Sequence, residues 1–402
     1  MTYTYASIVP LIGGETLAMQ SVFGKRPEYI LSYDVFAGND KHLLEYYNYE
    51  VPYHVLDKDD MSKVNLEQVD VVNTVCPCAG LSSLSVSASA DSSVNDWMIN
   101  TTKHVLENMQ PKVFWGENAP RLATKLGSPV VEKIRKIGKE YGYTFSIYKT
   151  KSLLHGLSQV RDRTFYFFWK GDEIPLFDYY NRPNQNMCEM IRSVPSDPAD
   201  PMNVLTSNKV PSQDDHYYKF ILEEICGGIT HKEFVASLEP GRSVNPQLYI
   251  EKHSDYTKVA DWLIKNGNPK AADKALRNAE KIAGGGNLMR RTSEIPSDYT
   301  GAFVGHLPMR VTHPDEDRYL TYREAMEFMK LPRDFNIISP KKNLNHICQN
   351  VPLTTAADMA TNIKRYLEGT CEMIRDDYLI QDNKSKQLVM TNRSSSLEEF
   401  LK

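Results

Sequence analysis

The sequence predicts a doubly wound α/β fold carrying a second, irregular module, and three observations predict it. Short β-branched or aromatic runs alternate with helical patterns through the first 170 residues. That rhythm breaks from about 171 to 312 into Pro-, Asn- and Asp-rich stretches with short helical patterns and a Gly284-Gly285-Gly286 run. It returns with a helix starting near Thr321 and with the periodic segment Pro352 to Leu367. Ligands of such sheets collect beyond the carboxyl ends of the strands, so residues that follow strands are the candidates for chemistry.

Taken in order, Ser7-Ile8-Val9-Pro10-Leu11-Ile12 reads as a strand, Gly13-Gly14 as a tight turn, and Thr16 to Gln20 as the start of a helix. Tyr29 to Tyr33 is the second strand, followed by a helical pattern around His42 to Tyr47. Val69 to Val75 is a third and runs directly into Cys76-Pro77-Cys78. A helix from Trp97 to Met109, a strand Lys112 to Gly116, a helix near Val130 to Tyr141, and strands at Thr144–Tyr148 and Thr164–Trp169 complete the alternation. The segment from Cys371 onward, with Ser394-Ser395-Ser396-Leu397-Glu398-Glu399 near its end, is polar and expected to be peripheral or partly disordered.

Composition excludes several classes. No stretch approaches the roughly 18 apolar residues of a membrane span, and Met1-Thr2-Tyr3-Thr4-Tyr5 lacks the basic start of a secretory signal, so a cytoplasmic protein is expected. Six cysteines lack the paired C-x-x-C spacing of a zinc site, and no metal is expected. Net charge is −4, yet residues 240 to 310 hold eleven Lys/Arg against seven Asp/Glu, a local balance of +4 that fits either a polyanion partner or a solvated surface.

Three weak signals follow strands. Pro77-Cys78 places a thiol at the ligand edge of the sheet, ahead of a Ser-rich loop, Ala79 to Asp91. Glu117-Asn118-Ala119-Pro120 lies one βα unit later, which would set the Glu117 carboxylate beside Cys78. In Gln159-Val160-Arg161-Asp162-Arg163, alternation puts Gln159, Arg161 and Arg163 on one face. In isolation, each reads as well as inert packing, a solvated loop acid, or an edge ladder.

Jointly, their order resembles the motif pattern of cytosine-5 DNA methyltransferases. Pro77-Cys78 resembles the nucleophile motif, Glu117-Asn118-Ala119 the Glu-Asn-Val motif, and Gln159-x-Arg161-x-Arg163 the Gln-x-Arg-x-Arg motif. Arg318-Tyr319-Leu320-Thr321-Tyr322-Arg323-Glu324 matches the family's Arg-x-Leu-Thr-x-Arg-Glu segment, and Gln349-Asn350-Val351-Pro352 resembles its final Gly-Asn-x-Val-Pro motif. The resemblance spans roughly residues 7 to 368 and implies a Rossmann-like methyltransferase sheet. It implies a catalytic domain at 1–170 plus 313–370, a target recognition domain at 171–312 and a C-terminal extension at 371–402.

It also implies a reaction on double-stranded DNA by a monomer in a bacterial or phage-infected cell, in restriction-modification or phage protection. Cys78 would add to C6 of a flipped cytosine, Glu117 would hold N3 and the exocyclic amine, and Arg163 the base O2. Arg161 would support the Cys78 charge or a nearby phosphate. The implied donor is S-adenosylmethionine, over Ile12, Gly13 and Gly14, with Gln349 near its methionine end and Pro77 and Asn350 among the residues that bind it. Asp34 stands in for the ribose ligand, because Ser32 occupies the usual position. The adenine-contacting acid is Asp57 by spacing or Asp60 by local pattern. Departures at Leu11, Ser32 and Gln349 leave open a modified donor, such as carboxy-S-adenosylmethionine, and a catalytically silent DNA-binding homologue is the alternative from another class.

Overall fold

In a computed structural model, residues 3–57, 66–75, 80–81, 89–305, 307–349 and 351–390 are described. The core is a nine-stranded sheet in the order β11-β10-β6-β7-β5-β4-β1-β2-β3. Its strands are β1 (Tyr5–Ile8), β2 (Ile30–Tyr33), β3 (Tyr53–Leu56), β4 (Val71–Thr74), β5 (Val113–Asn118), β6 (Tyr143–Lys151), β7 (Asp162–Lys170), β10 (Tyr378–Asp382) and β11 (Gln387–Met390). A separate pair joins β8 (Ile174–Pro175) to β9 (Met373–Ile374). Within the sheet only β7 and β11 run against their neighbours.

Helices cover both faces, which is why the central strands β1, β4 and β5 are buried throughout. On one face, α1 (Gly14–Phe23) and α14 (Leu353–Leu367) pack over Tyr5, Val71, Trp115, Phe167 and Trp169. On the other, α3 (Asn95–His104), continued as a π-turn Val105–Met109, and α4 (Ser128–Glu140) cover Ala6, Ile8, Val72, Phe114 and Phe168. The strands therefore alternate between two apolar cores, as a pleat requires. α2 (Ala37–Tyr46) follows β2.

The segment after β8 is helical and irregular. It holds α5 (Met187–Arg192), α6 (Pro211–Asp214), α7 (His216–Phe220), α8 (His231–Ala236), α9 (Pro246–His253), α10 (Tyr256–Lys265) and α11 (Pro269–Ala283). Tyr218, Phe220, Phe234, Ile250, Val259, Trp262 and Leu263 give it a core of its own. A further apolar cluster ties it to the sheet, because Ile12, Leu17 and Leu43 pack with Met187, Met190, Phe303 and Val311. The chain returns through α12 (Tyr322–Glu327) and α13 (Pro340–Asn343). Thr321 and Glu324 form a capping box there, Arg318 grips Glu324 through both terminal nitrogens (2.9 and 2.8 Å), and Arg323 grips Asp200 (2.6 and 2.8 Å). The Arg-x-Leu-Thr-x-Arg-Glu segment thus works as a brace.

Three elements differ from the sequence expectation. The first strand ends at Ile8, because Val9 and Leu11 take φ of 50° and 52°, outside any strand. β3 was not read as a strand: it is an edge strand with only Leu56 fully inward, too little alternation to register. The polar segment after 371 is not peripheral through Met390. β10 pairs with β6 and β11 with β10, and Gln381 and Asn383 bond the backbone of Phe177 and Tyr180. Residues 391–402 lie outside the described residues.

Candidate active site

β5 is flanked by β4 and β7, and alternation sends Trp115 and Glu117 to the same face. Glu117, at the carboxyl end, is 3% exposed. A carboxylate so buried needs a cation or a proton. The cation comes from β7. Phe165 sits opposite Glu117, so Arg163, two residues earlier on the antiparallel strand, lies one step past the end of β5 and pairs through Nε with the Glu117 Oε1. Arg163 Nη1 also donates to its neighbour's carbonyl, Asp162 O, at 2.7 Å, which holds the guanidinium in place. Asn118 turns the chain away, its Oδ1 accepting the Ala119 amide at 2.8 Å.

Gln159 and Arg161 share the alternation but reach elsewhere. Arg161 is 1% exposed and donates to two remote carbonyls, Phe303 O at 2.9 Å and Cys348 O at 2.7 Å. Gln159 donates to Phe328 O at 2.5 Å and accepts from the Phe303 amide at 3.1 Å. Gln159 and Arg161 therefore join the sheet edge to the 303, 328 and 348 segments.

The β1–α1 turn forms the neighbouring wall. Gly13 adopts φ 96°, and a Cβ there would stand 2.7 Å from Leu43 Cδ1, so only glycine closes this turn against α2. Asp40, at 0% exposure, holds the turn by accepting the Leu11 amide at 3.1 Å, and it also takes the Tyr53 hydroxyl at 3.2 Å and the Ser32 side chain. Burial pushes Asp40 up to about 7 against these hydrogen bonds. Sequence reading missed Asp40, because an acid in the first turn of a helix normally signals only the helix dipole. α1 begins without a side-chain cap, so among the described residues no side chain satisfies its first-turn N–H groups. Tyr33, Phe36 and Trp97 form an aromatic cluster after β2, with Trp97 ring centroids 4.7 and 5.1 Å from the other two.

The family model of C-5 cytosine-specific DNA methylases matches residues 4–365. The chain belongs to that family. The fold is that of several solved structures of low sequence identity. An Escherichia coli prophage protein assigned as a DNA modification methyltransferase superposes with a TM-score of 0.55 at 16% identity, covering 91% of this chain and 99% of that one. The Entamoeba histolytica methyltransferase EhMeth does so with 0.55 at 11% identity and the same coverage. A mutant of Spodoptera frugiperda DNMT2 gives 0.50 at 10% identity, covering 90% and 99%. No curated protein matches the sequence.

In this methylase the structure brings Glu117 and Arg163 together and directs Arg161 to backbone carbonyls. Cys78, Pro77, Asp60 and Asn350 lie outside the described residues. Asp34 follows β2 and Asp57 follows β3; both are exposed at the carboxyl edge. Gln349 accepts the Asn39 side chain at 3.4 Å, joining the turn before Val351 to α2. The four described cysteines are free thiols that burial holds in the neutral form. Cys348 is pushed up to about 12 and Cys188 to about 11, and Cys226 and Cys371 are raised.

Two further features carry no motif. Thr150, His155 and Asp358 follow the order of a hydrolytic triad, with contacts of 2.8 and 2.7 Å. Asp358 is committed to Arg182 at 2.8 Å and the Thr150 hydroxyl takes the Asn383 amide at 3.0 Å, so this row is a sealed strut. Glu15, in the first turn of α1, is 0% exposed, with no hydrogen-bond partner for either oxygen among the described residues. Burial first, and the Glu117 charge second, raise its carboxyl well above the ordinary range. Among the described residues, no helix is long and apolar enough to cross a membrane.

Proposed function

We propose that this methylase transfers a methyl group from S-adenosylmethionine to C5 of a cytosine flipped out of double-stranded DNA, with Cys78 as the nucleophile. One observation carries the reading: the buried Glu117–Arg163 pair stands at the carboxyl edge of the sheet beside the end of β4. Gly116 faces Thr74 across β5 and β4, and Cys78 follows Thr74 by four residues in the sequence. The other four thiols are held in the neutral form, which leaves Cys76 and Cys78 as the candidates for a thiolate, and the Pro-Cys motif selects Cys78.

Cytosine C5 is a poor nucleophile. Addition of the Cys78 thiolate to C6 makes C5 enamine-like, while Glu117 hydrogen-bonds N3 and the exocyclic amine and so favours the protonated ring. Arg163 keeps Glu117 oriented and turns its remaining N–H groups to the base O2. Arg161 fixes the strand that presents Arg163. After C5 has taken the methyl group, its proton leaves and the C6–S bond breaks, restoring the thiolate. Extruding the base costs a few kcal/mol, which contacts to the duplex offset.

The residues fit the donor. The uncapped start of α1 at Gly13 and Gly14 suits its carboxylate, and the half-buried Phe36 and Trp97 rings offer apolar surface to a purine. Ser32 is turned inward to Asp40, which leaves Asp34 for the ribose and Asp57, or Asp60, for the adenine. Ile12, Pro77, Gln349 and Asn350 complete the set. When bound, S-adenosylmethionine supplies an electrophilic methyl group. Incubation with DNA and methyl-labelled S-adenosylmethionine tests the reading: label appears in 5-methylcytosine and is lost in Cys78→Ala. Absence of 5-methylcytosine, or label retained by Cys78→Ala, contradicts it.

A further inference from the structure

α11 carries a face that the active site does not use. Asn268 caps it through the Ala271 amide at 3.2 Å, Pro269 opens it, and Ala272 and Ala275 are buried with Val259 and Leu263 of α10. Opposite these alanines stand Lys270, Lys274, Arg277 and Lys281, spaced four, three and four residues apart. At 3.6 residues per turn all four project within an arc of about 60° along a line of about 16 Å. All four are exposed, and among the described residues none of them joins an ion pair. Some other cations of the module are paired: Arg290 grips Glu251 at 2.9 and 2.7 Å, and Lys258 lies 3.9 Å from Asp255.

Exposed lysines alone say little, because water solvates them well. The arrangement is what counts. Like charges one turn apart destabilise a helix, and here three successive pairs are lined up, offset only in part by Asp273, three residues from Lys270 and four from Arg277, and by Glu280, three from Arg277. A row of fixed cations matches one partner chemistry, a regularly spaced polyanion, and 16 Å corresponds to about five base-pair steps of duplex.

We propose that the Lys270–Lys274–Arg277–Lys281 row lies along the phosphate backbone of duplex DNA outside the base pair being modified, supplying affinity that does not depend on sequence. The inference rests on the reading of this methylase as an enzyme of DNA. It is tested with the full chain and a fluorescent mixed-sequence DNA duplex, titrated across a series of salt concentrations. Wild type is compared with the quadruple variant Lys270→Gln, Lys274→Gln, Arg277→Gln, Lys281→Gln.

Each phosphate contact contributes roughly 0.9 to the slope of log affinity against log salt, so the variant's slope falls by about 3 to 4, while turnover at saturating DNA is unchanged. The single variants Lys270→Gln and Lys281→Gln each lower the slope by about 0.9 and guard against misfolding of the quadruple form. Unchanged slopes in variants that still methylate DNA overturn the inference alone. A loss of affinity confined to folded RNA also overturns it. Wild type that neither binds nor methylates duplex DNA overturns the functional reading, and the inference with it.

Discussion

At the scale of single residues, the site is a contrast between two buried carboxyl groups. Glu117 has Arg163; among the described residues Glu15 has no hydrogen-bond partner. A neutral acid is the stable native form of Glu15, so its protonation favours the fold. The sign follows from linkage. A raised native pKa gives stability that is fully present below the ordinary glutamate range and is lost as pH rises above it, by about 1.4 kcal/mol per unit until the native pKa is reached. Glu15→Gln removes this dependence. Its melting temperature gains on wild type as pH goes from 5 to 8 in buffered thermal melts; a difference that does not vary with pH contradicts the assignment. Glu117→Gln leaves DNA binding intact and slows single-turnover methyl transfer by about 10²- to 10³-fold, as expected for loss of the carboxylate that stabilises the protonated ring. A rate within a few-fold of wild type would remove Glu117 from the chemistry.

At the scale of elements, the catalytic strand line is held by contacts that bridge distant parts of the sequence. Arg161 satisfies carbonyls at 303 and 348, so Arg161→Ala strands two buried acceptors and opens a void. We expect a loss of about 3 kcal/mol or more in denaturant titrations, with Arg161→Lys intermediate because one ammonium cannot reproduce the guanidinium fork. A cost below about 1 kcal/mol would show that these bonds are dispensable. A second tie is the His42–His346 pair. His42 Nδ1 accepts the Ile338 amide at 3.0 Å, so its proton sits on Nε2 and is donated to His346 Nδ1 at 2.9 Å. Burial first, then His346, lowers His42 to about 4, and burial lowers His346. The depressed pKa means that the stabilisation is complete above the ordinary histidine range and fades as pH falls from about 6.5 toward 4. His42→Gln flattens that part of the stability–pH curve; an unaltered acid limb contradicts the pairing.

At the scale of the whole molecule, what could be read in the sequence is what local pattern encodes. The strands buried on both faces announced themselves as β-branched and aromatic runs, and the ordered motifs marked Glu117 and Arg163 before any geometry. β3 was hidden because an edge strand needs only one inward residue. β10 and β11 were hidden because Tyr378, Leu379 and Ile380 sit among charged neighbours, and their burial depends on a partner strand more than 200 residues away. Glu15 and Asp40 were illegible for a related reason: in the first turn of a helix an acid looks like a dipole partner, and only tertiary packing decides that it is buried. The cluster joining Ile12 and Leu17 to Met187 and Phe303 likewise makes the helical module an extension of the catalytic core, a coupling no local window contains. All of this serves one claim, that Cys78 attacks a cytosine held by Glu117 and Arg163. The most direct measurement is the intact mass of the protein after incubation with a 5-fluorocytosine duplex and S-adenosylmethionine, since fluorine at C5 cannot leave as a proton and traps the adduct. The account predicts a covalent protein–DNA species that is abolished in Cys78→Ser; no adduct on wild type, or one that persists in Cys78→Ser, contradicts it.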